Sequence, residues 1–436
     1  MKNPFKKREI EELRREVHQR AYKEIPNGIV MSSGLLHYVE DYGDIDIEDR
    51  REFTGDELPL PWNNKPFDMR PYQREAVEMM EKSYRGIVVL GTALGKTLTA
   101  VHMIKRTRTK TLITVPSESI ARQFISDLED AFGKGKVGLY GAGKKKIMPI
   151  TVGIVMSISN DIEKISKENW GLVIHDECHH TPANKFFKMA IGLGNVGRMY
   201  GLTATDFRSD GKDILIEAGC GKCLIRRDAV WGIKNGWLAR PSFIVREVKT
   251  ESTNKRYGRM SKKLREYKRH VVDNPKMRDY IYNDIKTEMQ NGKSVLCLVA
   301  EIEHGEELSK RLGIPFANGS DKMSQEYVNQ LNSGKIRALI GTTGKIGEGS
   351  NTKNVDVLVM ANFMASKGIV LQSVGRGLRK TDTKDTCKIY DYIPVDSDML
   401  KRHAEGRVKI YKKLSKDVNV VSIQDSVSDR FKWLQY

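Results

Sequence analysis

The run Gly91-Thr92-Ala93-Leu94-Gly95-Lys96-Thr97 stands directly after the apolar residues Ile87, Val88, Val89 and Leu90. A strand opening into a Gly-Lys-Thr loop has what phosphate binding needs. Glycines let backbone N–H groups approach oxyanions, the Lys96 ammonium bridges the terminal phosphates, and the Thr97 hydroxyl reaches Mg²⁺. Further along, Leu172-Val173-Ile174-His175 runs into Asp176-Glu177-Cys178-His179. Asp176 supplies a carboxylate for the metal, and Glu177 one that orients an attacking water. In this order the two motifs specify hydrolysis of a nucleoside triphosphate.

A third constellation is Gln372, Arg376 and Arg379, spaced i, i+4, i+7 and therefore on one helical face. It follows an apolar strand from Val355 to Met360, and three such polar groups make poor core. Across a cleft from the Lys96 loop, the two guanidiniums would neutralise charge on a transferring phosphoryl group. A solvated basic face is the other reading of the same spacing.

Two sets of alternating helices and strands are expected to position these groups. From residue 67 to about 238 the pattern reads helix 71–83, strand 87–90, helix 96–106, strand 111–115, helix 117–131, strands near 137–140 and 150–156, and strand 172–175. After Pro241 it restarts with strand 294–299, helix 303–312, strands 338–341 and 355–360, helix 368–378 and strand 387–392. Short β-rich runs alternating with helices imply parallel doubly wound sheets. Before them, residues 7–22 read as an amphipathic helix with Ile10, Leu13, Val17 and Ala21 on one stripe. An acidic run from Glu40 to Glu57 follows, and Pro59, Pro61 and Pro66 make a stiff connector. The expected domains are a small N-terminal accessory module (1–66), an ATP-binding domain (67–240) and a second domain (241–436).

The 436 residues exceed one ordinary core and fit this division. No apolar run reaches the roughly 20 residues of a membrane span, and the polar start Met1-Lys2-Asn3 does not read as a signal peptide. Five cysteines, an odd number, fit a reducing compartment, so a cytoplasmic location is expected, the host's if the chain is phage-encoded. Seventy-four Lys and Arg against 56 acids leave a net charge of +18. Residues 1–65 hold 11 basic and 14 acidic side chains, so the remaining 371 carry +21. A basic body behind an acidic leader fits a polyanion partner, nucleic acid.

In order from residue 70 to about 412, the chain resembles the superfamily 2 helicases. Arg70-Pro71-Tyr72-Gln73 looks like the adenine-recognition element, with Arg70 and Gln73 reading the base. Residues 91–97 match motif I, and Asp176-Glu177-Cys178-His179 matches motif II in its DECH form. Val115-Pro116-Ser117 looks like motif Ia, so Pro116, Ser117 and Arg122 are expected on DNA, as is Ser157 of Val155-Met156-Ser157. Leu202-Thr203-Ala204-Thr205 matches motif III. His179, Thr203 and Thr205 would then couple ATP to nucleic acid. Gly341-Thr342-Thr343 and Gly347-Glu348-Gly349 look like motif V. The resemblance puts Thr342 and Thr343 on DNA and Gly349 and Asn351 on the nucleotide, Asn351 standing where the family often has aspartate. Residues 372–379 match motif VI.

The resemblance implies two tandem RecA-like domains, ATP and Mg²⁺ as cofactors, and DNA as partner. It is closest to phage-encoded helicases of the UvsW type, with XPB-like and RecG-like enzymes more distant. Branched DNA is the implied substrate: forks, D-loops or Holliday junctions. An RNA helicase and a passive nucleic-acid clamp are the rivals, the latter opposed by intact Lys96, Asp176, Glu177, Arg376 and Arg379. Cys220 and Cys223, one Cys-x-x-Cys without a second ligand pair, read as incidental thiols. His179-His180 beside Asp176 belongs to motif II rather than to a transition-metal site. The basic stretch from Lys255 to Lys268, with Tyr257 and Tyr267, reads as the long helix opening the second domain, and DNA contact there is the second reading.

Overall fold

The computed structural model describes residues 21–39, 46–53, 55–58, 68–205, 212–250, 257–347, 352–381 and 384–422. Ile10, Leu13 and Val17, the prolines at 59, 61 and 66, and Gly349 and Asn351 lie outside them. The chain forms two compact units, residues 1–91 with 95–228, and residues 92–94 with 229–436. The division drawn from sequence at 240/241 falls inside the second unit.

The first unit is built on an eight-stranded sheet. Its order is Cys223–Arg227, Arg85–Leu90, Arg198–Thr203, Leu172–Asp176, Thr111–Val115, Ile150–Ile154, Val137–Gly141 and Lys144–Lys145. Every neighbouring pair is parallel except the last, a short hairpin. Helices cover the strands, so runs such as Arg85–Leu90 and Leu172–Asp176 are buried throughout. The strand expected over 150–156 stops at Ile154, and Val155–Asn160 is helical. Gly153 explains the fold-back: an added Cβ would lie 2.6 Å from Ile158 Cδ1, so the absent side chain admits the returning helix. Residue 22, expected at a helix end, begins an antiparallel hairpin of Tyr22–Ile25 with Gly28–Met31. A 3₁₀ turn over Ser33–Tyr38 follows. This segment docks on the unit through Ala21 and Leu35, which pack with Phe187, Leu215 and Ala218. The Tyr38 hydroxyl donates to Glu217 at 2.7 Å.

The second unit has seven parallel strands in the order Phe316–Ala317, Ala338–Thr342, Val295–Val299, Val357–Ala361, Thr386–Pro394, Arg240–Val248 and Val418–Val421. The long helix expected to open this unit is instead two pieces. Ser261 caps a helix over Lys262–Tyr267 that continues as a π-helical segment, Lys268–Val272. Asn274 and Pro275 then start a fresh helix, Pro275–Gln290, because proline is favoured at a first turn but not inside a helix.

A buried ion pair ties this unit together. Arg407, on the helix Asp398–Leu414, donates from Nε at 2.7 Å and Nη2 at 2.9 Å to the Asp391 carboxylate. The Tyr411 hydroxyl donates to the same carboxylate at 2.8 Å, and Arg407 Nη1 reaches Met364 O at 3.3 Å. The pair therefore joins helix, strand and the connection leading to the helix Lys367–Gly377.

Candidate active site

In the first unit the strand Arg85–Leu90 ends at Gly91, whose N–H donates to Arg227 O at 2.9 Å. Thr92, Ala93 and Leu94 form the loop, with Ala93 at φ 70° in the left-handed region. Gly95 caps the helix Lys96–Thr107 at φ 85°, and a Cβ there would lie 2.2 Å from Gln73 Nε2. Glycine is needed at that position for backbone conformation and for space alike. The helix N-terminus that starts at Lys96 and Thr97 presents backbone donors and a positive dipole end to an anion. Gln73 is buried behind the loop, and its Oε1 accepts from Arg70 N–H at 2.9 Å. Arg70 Nη1 donates to the Tyr72 hydroxyl at 3.1 Å.

Asp176 closes the strand Leu172–Asp176, and Glu177 follows at φ 49°, a left-handed conformation that a non-glycine residue adopts only when its surroundings hold it. Lys96 Nζ donates to Glu177 Oε1 at 2.8 Å. His179 Nδ1 stands 3.2 Å from Glu177 Oε2 and 3.1 Å from Thr203 Oγ1, and Thr203 Oγ1 accepts from Thr205 N at 3.3 Å. A run of polar contacts thus leads from Lys96 through Glu177 and His179 to Thr203 and Thr205.

Burial by itself would raise the Glu177 carboxyl, but the Lys96 ammonium and His179 hold it well below the usual carboxylate range. Asp176 is pushed up to about 7 by burial and by the adjacent Glu177 charge. Its Oδ1 is buried with no hydrogen-bond partner among the described residues. A buried, unpartnered carboxylate oxygen is the donor a hard divalent cation takes, so the residues present fit Mg²⁺.

Ser117 caps the helix Glu118–Phe132, its Oγ accepting from Ile120 N at 3.4 Å, directly after Pro116. Arg122 pairs with Glu118 on the exposed face of that helix. Ser157 is half-buried in the turn of helix after Ile154.

In the second unit Thr342 ends its strand and is half-buried. The Thr343 hydroxyl donates to Val299 O at 3.1 Å and accepts from Asn362 Nδ2 at 3.0 Å. Both of its hydrogen-bonding roles are therefore used inside the fold. Gln372 and buried Arg376 lie on the helix Lys367–Gly377. Arg379 does not share it: the helix ends at Gly377, buried Leu378 caps it, and Arg379 pairs as a β-bridge with Leu238. The expected single face of three residues is thus a face of two plus a bridge residue.

One buried group was missed. The His175 ring Nδ1 lies 2.7 Å from Thr114 Oγ1, linking the strand that carries Asp176 to the strand that leads to Ser117. A histidine inside an otherwise apolar strand run was its signal in the sequence.

Residues 66–208 match the family model described as "Type III restriction enzyme, res subunit". A Halobacterium salinarum protein named for the DNA 3'-5' helicase Rad25 is 27% identical over 76% of this chain and 55% of its own length. The DNA 3'-5' translocase XPB2 of Sulfurisphaera tokodaii is 26% identical over 75% of this chain and 82% of its own. The chain thus spans about half the length of the first of these. The solved structure of the ATP-dependent Type ISP restriction-modification enzyme LlaBIII bound to DNA aligns with a TM-score of 0.61 at 15% identity, over 85% of this chain and 32% of that one. That likeness gives the fold: two RecA-like α/β units. No helix among the described residues is long and apolar enough to cross a membrane.

Proposed function

We propose that this chain, a relative of the superfamily 2 helicases, is an ATP-dependent DNA helicase or translocase that remodels branched DNA, as its UvsW-type sequence resemblance implies. The observation that carries the reading is the chain Lys96–Glu177–His179–Thr203 beside the unpartnered Asp176 oxygen. A triphosphate arriving at the N-terminus of the helix Lys96–Thr107 competes for the Lys96 ammonium and frees Glu177. The freed carboxylate then accepts a hydrogen bond from the attacking water. Thr97 and Asp176 would hold Mg²⁺, which when bound neutralises phosphate charge. In this reading Arg376 and Arg379 supply further positive charge to the transferring phosphoryl, Gln372 offers its side-chain amide as a neutral hydrogen-bond donor, and Arg70 and Gln73 recognise the base.

His179 sits between Glu177 and Thr203, so a change at Glu177 alters the partners available to motif III. Nucleic acid is gripped mainly by its backbone, which makes binding salt-dependent and weakly sequence-specific. Because both hydroxyl roles of Thr343 are taken, Thr342 is the threonine whose side chain serves the strand.

The test is ATP turnover and unwinding on single-stranded, duplex, forked and four-way DNA, with RNA alongside. Stimulation by DNA and unwinding of forked or four-way substrates are expected. Stimulation by RNA alone would make the chain an RNA helicase, and no turnover on any substrate would leave a passive clamp.

A further inference from the structure

The helix Asp398–Leu414 divides its faces sharply. Leu400, Ala404, Arg407, Tyr411 and Leu414 are buried. Lys401, Arg402, Lys409, Lys412 and Lys413 are exposed. At 3.6 residues per turn these five cations fall within an arc of about 120°, opposite the buried one. Asp398 and Glu405 share that arc, which leaves an excess of three positive charges. From Lys401 to Lys413 the row runs about 18 Å at 1.5 Å per residue.

An ordinary solvated helix face would end there, but a second basic element packs beside this one. Ser397, which caps the helix, donates to Glu266 Oε2 at 2.6 Å, joining it to the helix Lys262–Tyr267. Glu266 is the only acid in that short helix, and it is turned inward to Ser397 and His270. Its exposed residues Lys262, Lys263 and Arg265 are all cations. Among the described residues no carboxylate pairs with Lys262, Lys263, Lys401 or Arg402. The two elements share one field: burial, together with Lys263, Arg407 and Arg402, pushes the His403 imidazole down.

We propose that these two elements form a binding surface for the phosphate backbone of duplex DNA, additional to the strand-gripping motifs. A row of about 18 Å spans several phosphates of a duplex, and unpaired lysines release counterions when they meet them. Nothing in the surface reads base edges, so it holds DNA of any sequence. The proposal extends the DNA reading given above and adds a second point of attachment to the same partner.

The test uses the full chain with Lys262→Ala, Lys263→Ala, Lys401→Ala, Arg402→Ala and Lys409→Ala combined. The readout is affinity for a blunt duplex across a salt series. Affinity should fall on the order of tenfold or more, and the log–log salt slope should flatten by about 0.9 for each phosphate no longer neutralised. Unchanged affinity and slope would overturn the proposal. So would loss of binding to phosphatidylserine vesicles with duplex binding intact, which would make the surface a lipid-headgroup site. ATP turnover on each DNA and RNA substrate named above is measured in parallel. Its absence from parent and variant alike, with the duplex difference present, would sink the ATP-motor reading and leave this surface standing. If the five-site variant fails to fold, Lys401→Gln with Lys409→Gln is read the same way.

Discussion

Lys96 and Glu177 hold each other at 2.8 Å, with neither side chain more than 15% exposed. The loop lysine and the proposed water-orienting carboxylate therefore neutralise one another inside the first unit. In the function proposed above, an anion that takes over the lysine would change the state of the carboxylate in the same event, so phosphate binding and activation of Glu177 would be one equilibrium.

Glu177→Gln should lower ATP turnover about 10²- to 10⁴-fold, the range for losing a positioned proton acceptor, while ATP still binds. Lys96→Ala should weaken nucleotide binding as well. Phosphate release and equilibrium binding of a labelled ATP analogue check both. Near-normal turnover in purified Glu177→Gln would remove Glu177 from the chemistry.

Arg376→Ala should reduce kcat by about 10³-fold or more, the scale of an arginine finger, with a much smaller change in ATP affinity. Arg379→Ala is expected to follow it. An unchanged kcat with a loss of ATP affinity would instead mean that these arginines bind ground state and transition state alike.

Thr203→Val removes the oxygen that His179 faces at 3.1 Å. The base pairs opened per ATP hydrolysed should fall more than turnover itself. A variant with an unchanged ratio would show that coupling bypasses this hydroxyl.

Burial and the nearby Arg85 charge push His175 down to about 3, and burial with Arg278 pushes His304 down to about 4. Both are neutral in the folded chain, whereas in the unfolded chain they protonate below about 6.5. Unfolding therefore takes up protons, and stability present above that pH is lost as pH falls toward the folded values. The expected slope near pH 5.5 is about 1.4 kcal/mol per pH unit for each histidine. Urea unfolding of a His175→Leu, His304→Leu variant between pH 7 and 5 should show a flatter dependence than the parent.

Arg407→Met strands the Asp391 carboxylate, whose side chain is 0% exposed. The expected loss is about 3–5 kcal/mol, since a buried charge is left without its partner. Adding Asp391→Leu should recover much of it, as followed by urea midpoints.

Deleting residues 1–60 tests what the leader does. If it positions or separates strands at a branch, DNA-stimulated ATP turnover should largely survive while fork unwinding collapses. A folded truncation that unwinds forks at the parental rate would make the leader a stabilising cap.

The core strands and the phosphate loop were legible because parallel strands buried on both faces must be continuously apolar, and glycine with lysine at fixed spacing has few other uses. The strand Arg240–Val248 escaped because Ser242, Arg246 and Glu247, all half-buried, interrupt its apolar run. Arg379 was misplaced because periodicity continues through a sequence whether or not the helix does, and Gly377 with Leu378 ended this one. The Thr343 network escaped because Val299 and Asn362 meet it only through the sheet. The pairing of His175 with Thr114 was likewise invisible, since strand order cannot be read from strand identity.

The position of the strand Arg240–Val248 bears on the order of events during synthesis. Its two neighbours are Thr386–Pro394 and Val418–Val421, both made much later. From Arg240 to Thr386 is 146 residues, which at about 5–20 residues per second leaves the strand without a neighbour for roughly 7–30 s. The first unit's sheet, complete by Arg227, can close in that interval. The nascent chain thus carries one finished unit followed by an apolar strand waiting for its pair, and that interval is when chaperone capture or aggregation would act on it.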